Sequence, residues 1–248
     1  MGLTRRRLLV GAGLALLCPG PLRAQTALER EHQPRIEVPI LAEDATAVPV
    51  RVSVEHPMES DHYVKSIELV LDKDPVPYKG KFLFTPANGR AWVAFPMRSG
   101  AGGLVRATAE CTRHGRFAVT QELRVAEGGC TTGPDPVPRE RLGRPQVRVA
   151  AAIRPGEIVE VRTRVDHNSY TGLVMKGGRI EREAPEFYLK QMLVYLDDQP
   201  ISEFQMTSAV SPNPVIRFPL KGIRSGTLRV VFVNSEGARW EVAQAVRV

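Results

Sequence analysis

The feature that most constrains this chain is that it repeats itself. Internal repeats decide architecture before any local reading does. Pro34-Arg35-Ile36-Glu37-Val38 is matched 111 positions later by Pro145-Gln146-Val147-Arg148-Val149. At the same offset Val50, Val52, Val54, Glu55 and His56 meet Val161, Thr163, Val165, Asp166 and His167. Further on the offset becomes 123: Phe95-Pro96 matches Phe218-Pro219, and Phe117 through Arg124-Val125 matches Trp240 through Arg247-Val248. The second copy therefore carries extra residues between His167 and Asp198, placed at Lys176 to Glu186.

Each copy alternates apolar and polar residues with period two, as in Val48–Val54, Ile158–Val165 and Thr227–Val233. Such alternation makes half-buried antiparallel strands. Ile67–Leu71 and Met192–Leu196 are further strands. Turn residues separate them at Asp72–Pro75, Ala87–Gly89, Asp197–Pro200 and Ser235–Gly237. No convincing helical stripe appears. Short strands at this density predict an all-β chain of two tandem immunoglobulin-like β-sandwich domains, residues 25–125 and 145–248. Residues 126–144 hold four glycines and three prolines and read as a Gly/Pro-rich linker with a flexible front and a stiffer back.

Residues 1–24 read as a signal peptide: a basic start, an apolar run of 11 residues from Leu8 to Cys18, a Pro19-Gly20-Pro21 break, and cleavage after Ala24. A membrane span needs about 20 apolar residues. Thr4-Arg5-Arg6-Arg7-Leu8-Leu9 resembles a twin-arginine signal, so the expected location is periplasmic. The net charge of +7 is inflated by this segment, whose four arginines are opposed by no acid. The remainder is +3, with no Lys/Arg block, which excludes a nucleic-acid binder by charge and leaves no membrane span. Three cysteines are too few for a disulfide scaffold or a four-Cys zinc site.

Cys130 sits among Gly128, Gly129 and Gly133 in the linker front. Two readings stay open from the residues: an exposed thiol on a slim, mobile arm, suited to soft electrophiles such as sulfur species, or a disulfide with Cys111. The histidines, His32, His56, His62, His114 and His167, show no metal-binding spacing such as H-E-x-x-H. His56 and His167 close equivalent strands and read as structural turn residues. Cys111 and His114 form one C-x-x-H pair, and Met58 beside His56 is a faint hint of copper; neither makes a metal site, and no metal or cofactor is expected. No G-x-S-x-G, P-loop or dinucleotide fingerprint occurs, so no self-contained enzyme is expected.

With those residues in view, the chain resembles a fusion of SoxY and SoxZ, the two halves of the sulfur-oxidation carrier. Val48–Met58, Asp61–Lys65, Phe82–Arg90 and Gly128-Gly129-Cys130 carry the SoxY likeness. Gly156–Arg162, His167 and Ser208–Pro214 carry the SoxZ likeness. The resemblance implies two packed immunoglobulin-like domains, with Cys130 as the attachment residue for a sulfur intermediate presented to periplasmic partner enzymes, and no cofactor. It also implies the subgroup associated with quinoprotein dehydrogenases. The chain departs from the pattern at Thr131 and Thr132, stiffer than glycine, and in having its arm internal. An internal arm enters an active site only as a doubled-back loop, which calls for more open partner sites. The rival reading is a non-catalytic scaffold assisting a quinoprotein dehydrogenase, and a third is a copper- or redox-handling protein using Cys111 and Cys130.

Overall fold

The computed structural model describes residues 26–126 and 135–248. The first half runs α1 (Ala27–His32), β1 (Arg35–Glu37), β2 (Leu41–Ala42), β3 (Val48–Val54), β4 (Val64–Leu71), β5 (Tyr78–Phe84), β6 (Ala91–Met97), β7 (Gly103–Cys111) and β8 (Gly115–Val125). The second runs β9 (Gly143–Arg148), β10 (Ile158–Asp166), β11 (Leu173–Lys176), β12 (Arg179–Arg182), β13 (Leu189–Leu196), β14 (Gln199–Met206), β15 (Val215–Lys221), β16 (Gly226–Asn234) and β17 (Arg239–Val246). The chain is nearly all β, as the alternation predicts. The extra residues of the second copy fall on the β11–β12 hairpin.

The alternation works as expected within each strand. In β3 every valine is buried while Pro49, Arg51 and Ser53 face outward. Valine's branched Cβ suits this pleated, half-buried surface. The short helix α1 was not anticipated. Its signal is local: Thr26 accepts from the Glu29 amide and Glu29 reaches back to the Thr26 N–H, a capping box that fixes the helix start.

Sequence does not show how the two copies join. The two tandem sandwiches are joined edge to edge and share both sheets. One sheet has six strands in the order β1-β3-β6-β15-β10-β9, the other nine in the order β17-β16-β13-β14-β5-β4-β7-β8-β2. The crossing points are β5–β14, in register from Phe84↔Ser202 to Gly80↔Met206, and β6–β15 at Ala94↔Arg217. Strand edges that would otherwise be unpaired satisfy each other there. Gly80 is required at this seam, because a Cβ would sit 2.6 Å from the Gln205 carbonyl oxygen.

One hydrophobic core fills the space between the sheets across both halves. Phe82 contacts Phe95 and Phe204 at centroid distances of 4.9 and 5.5 Å, and Phe204 contacts Phe218 at 5.3 Å. Buried Asn88 adds polar stitching: its Nδ2 donates to Ser202 Oγ (2.8 Å) and the Pro219 carbonyl (2.9 Å), and its Oδ1 accepts from the Thr85 amide. Lys79, 0 % exposed, pairs with Asp74 at 2.9 Å and donates to the Arg98 carbonyl. Arg98 in turn donates to the Ser169 carbonyl across the seam.

Candidate metal centre

Three segments of the first half meet at one end of the sandwich. Helix α1 ends on His32. The connection from β3 to β4 carries His56 and His62. The β7–β8 turn carries Cys111 and His114. The register Val64↔Cys111 brings the second and third segments together. Their backbones are tied by Thr112 N–H to the Tyr63 carbonyl, Tyr63 N–H to Thr112 Oγ1, and Thr112 Oγ1 to the Asp61 carbonyl. Arg113 pairs with Asp61 across the same gap. His32 is fixed by its ring packing tilted on Phe117, at 4.8 Å.

The donor atoms form a chain. His56 Nε2 lies 3.1 Å from His62 Nε2, which lies 3.1 Å from His114 Nδ1, which lies 2.9 Å from His32 Nε2. Cys111 Sγ is 3.8 Å from His56 Nε2 and 3.9 Å from His114 Nδ1. Donor atoms of His32, His62, Cys111 and His114 all fall within 4.8 Å of one another.

Hydrogen bonding alone cannot satisfy this arrangement. His32 Nδ1–H donates to the Leu28 carbonyl at 2.8 Å, and His56 Nδ1–H donates to the Pro57 carbonyl. Those bonds fix the tautomers, leaving a lone pair on each Nε2. Burial, partly offset by the Pro57 bond, holds His56 below the ordinary imidazole pKa, so its ring is neutral near pH 7. His114 is shifted down as well, by desolvation and by neighbouring His32 and His62. As hydrogen bonds, the His56–His62 contact needs a proton on His62 Nε2 and the His114–His32 contact needs one on His114 Nδ1. The contact between His62 and His114 then sets two N–H groups head to head. A cation held by these residues would relieve the conflict by taking lone pairs in place of the protons.

The spacing also says what geometry the cation would have. With metal–imidazole bonds of about 2.1 Å, neighbouring donors stand about 3.0 Å apart at right angles and about 3.4 Å apart at the tetrahedral angle. The observed 2.9 and 3.1 Å fit right angles. Cys111 Sγ lies nearly equidistant from His56 Nε2 and His114 Nδ1, the first and third nitrogens of this chain. The thiol is on the buried side at 3 % exposure, whereas His114 is exposed.

The C-x-x-H pair, read from the sequence as no metal site by itself, is joined by His32 and His62, the four donors lying within 4.8 Å of one another, and His56 stands beside His62. The signal available was His56-x5-His62 beside Cys111-x2-His114, both at strand ends, but only the β4–β7 register unites them. His167, the repeat partner of His56, does behave structurally: it is buried, stacks on Phe187 at 4.6 Å and donates Nδ1–H to the Asn168 carbonyl. Met58 is a core residue. Cys130 and its glycines Gly128, Gly129 and Gly133 lie outside the described residues, as do residues 1–24. Ala126, the last described residue before the arm, bonds the Ala42 carbonyl at the end of β8 opposite to His114.

Comparison with known proteins divides the chain as the repeat does. Residues 22–130 match the family model of the sulfur oxidation protein SoxY, and residues 147–245 that of the sulphur oxidation protein SoxZ. A 61-residue stretch is 34% identical to a desulfoferrodoxin homolog of Methanothermobacter thermautotrophicus, covering 24% of this chain and 49% of that protein. The chain thus spans about half the length of that curated relative. Among solved structures it is similar to a superoxide reductase (neelaredoxin) from Ignicoccus hospitalis: 30% identity, 38% of this chain, 81% of that one, TM-score 0.36. The superoxide reductase from Nanoarchaeum equitans is 20% identical over 38% of this chain and 94% of that one, at a TM-score of 0.32.

Proposed function

We propose a redox role for a chain that belongs, half by half, to the SoxY and SoxZ families and is therefore a sulfur-oxidation protein: its SoxY half holds a mononuclear iron centre on His32, His56, His62, His114 and Cys111. The observation that carries this reading is the convergence of the donor atoms of His32, His62, His114 and Cys111 within 4.8 Å of one another, with His56 Nε2 3.1 Å from His62 Nε2 and 3.8 Å from the thiol. A closed zinc site takes four ligands in a tetrahedron. Several nitrogens with one thiolate are also the kind of donor set that haem–thiolate iron uses, where the sulfur pushes electron density toward the metal. The desulfoferrodoxin homolog's likeness over 61 residues adds to it.

The residues divide the work. His32 and His56, locked by carbonyl bonds, aim fixed lone pairs. Cys111 supplies a negative charge from the buried side. His62 and His114 would complete the donor set on the solvent side, where a small molecule can approach. Iron held by these donors would supply one-electron chemistry toward a small anion such as superoxide, whose reduction to hydrogen peroxide takes one electron and two protons, and an external reductant would have to replace that electron. Anaerobic reconstitution with ferrous iron, then metal analysis, visible spectroscopy and pulse radiolysis with superoxide, tests this. One iron per chain with a thiolate-to-ferric band supports the reading; no bound iron, or a band unchanged in Cys111→Ser, overturns it.

A second reading concerns the other thiol. The SoxY match runs to residue 130, and Cys130 ends a Gly-Gly-Cys string. On this reading Cys130 carries a sulfur intermediate covalently and presents it to enzymes of a sulfur-oxidation or quinoprotein dehydrogenase system, in the periplasm after twin-arginine export. Intact mass of protein purified without reductant tests it: a reducible adduct on Cys130 supports the carrier, and an adduct persisting in Cys130→Ser overturns it.

A further inference from the structure

The outer face of the six-stranded sheet carries a line of charge that no sequence window shows. Arg148 on β9 stands opposite Arg162 on β10, and Arg162 stands opposite Arg217 on β15. Arg217 is opposite Ala94 on β6, which is opposite Arg51 on β3. Neighbouring strands are about 4.8 Å apart. Four arginines thus cross both halves in one row, with a single alanine between them.

Like charges set directly opposite each other destabilise a sheet. The nine-stranded sheet avoids this with cross-strand pairs such as Lys81–Glu68 (2.8 Å), Lys65–Glu110 (3.1 Å) and Arg229–Glu241 (3.4 Å). On the six-stranded sheet, no described carboxylate pairs with Arg148, Arg162 or Arg217, all exposed. Arg51 lies over the Trp92 ring at 3.9 Å. The row ends on a carboxylate, Glu37 of β1, which stands opposite Arg51 and pairs with Arg35; Asp166 pairs with Arg164 beside the row, and Glu160 makes no ion pair among the described residues, so Arg148, Arg162 and Arg217 keep no acid opposite them.

The row also borders a cleft. Where β6 and β15 touch at one residue pair, a space of about 360 Å³ opens between the halves. Its walls are apolar, including Pro49, Phe95, Pro96 and Val215, and Arg162 and Arg217 stand at it. Guanidinium forks beside an apolar slot suit carboxylates on a chain with an apolar side chain between them.

We infer that this face docks an acidic segment of a partner protein, with its carboxylates on Arg148, Arg162, Arg217 and Arg51 and an apolar side chain in the cleft. The inference is independent of the metal centre. The probe is decaglutamate peptide, measured by fluorescence anisotropy at low and physiological salt, with heparin as competitor. Arg148→Glu/Arg162→Glu/Arg217→Glu is compared with Arg106→Glu/Arg239→Glu/Arg247→Glu, which changes net charge equally at exposed sites elsewhere. The row variant should lose about tenfold or more in affinity and most of its salt dependence, and the control less than about threefold. Equal loss in both variants would reduce the effect to net charge and overturn the inference. Binding of heparin in preference to the peptide would assign the face to a different polyanion and overturn it too.

Discussion

Loading the candidate centre should stabilise the whole protein by a calculable amount. The donors are already 2.9 to 3.1 Å from their neighbours, so binding requires little rearrangement. They sit on α1, the β3–β4 connection and the β7–β8 turn, so one ion fastens three segments that the unfolded chain holds apart. An ion present at a thousand times its dissociation constant adds about 4 kcal/mol to unfolding. For a protein of this size each kcal/mol moves Tm by roughly 2–4 °C, so the expected rise is about 8–16 °C. The assay is anaerobic thermal unfolding of metal-stripped protein, with and without ferrous iron, followed by circular dichroism. His62→Ala removes a donor from the middle of the ring and should abolish most of the rise while leaving the stripped protein's Tm within a few degrees. A rise of the same size in a His62→Ala/Cys111→Ala variant would refute the assignment, and so would no rise in the unaltered chain.

Three further outcomes are expected. His167 is buried and held down to about 4 from an ordinary 6.5, chiefly by desolvation. The unfolded chain therefore takes the proton first: stability is complete above pH 6.5 and falls as pH drops, by about 3 kcal/mol at pH 4; urea midpoints from pH 7 to 4 should show a shallower slope in His167→Gln. Asn88→Ala strands the Pro219 carbonyl and the Thr85 amide in a buried seam and should cost about 2–4 kcal/mol in denaturant unfolding; a cost under about 0.5 would mean the seam does not depend on it. Cys130→Ser should remove any reducible adduct but retain iron, and Cys111→Ser should do the reverse; one variant losing both would merge the two roles.

The strands were legible because valine and isoleucine at alternate positions have one physical meaning on a pleated surface. β3, β10 and β16 lie where the alternation of Val48–Val54, Ile158–Val165 and Thr227–Val233 puts them. The duplication was legible because both copies must bury the same alternating faces. The metal centre was not. Its donors are spread from the end of α1 to the β7–β8 turn, with β1 to β7 between the first and the last, and nothing in Cys111-Thr-Arg-His114 says that Val64 will stand opposite Cys111. The arginine row was hidden for the same reason: each member is an ordinary outward residue of its own strand, and only pairing between strands lines them up. Helix α1 is signalled only by Thr26 and Glu29, because six residues are too few to show an apolar stripe.

The shared sheets have a consequence for how such a protein can be taken apart. β5 and β6 are interior strands only because β14 and β15 complete them. Severed within residues 126–144, the two pieces would each present raw hydrogen-bonding borders and half of a phenylalanine cluster. Each would then be the other's missing strand, and either alone would recruit whatever strand it met. Keeping them on one polypeptide makes that mutual completion a first-order event, guarding against mispairing during synthesis and holding the cleft between the halves in constant register.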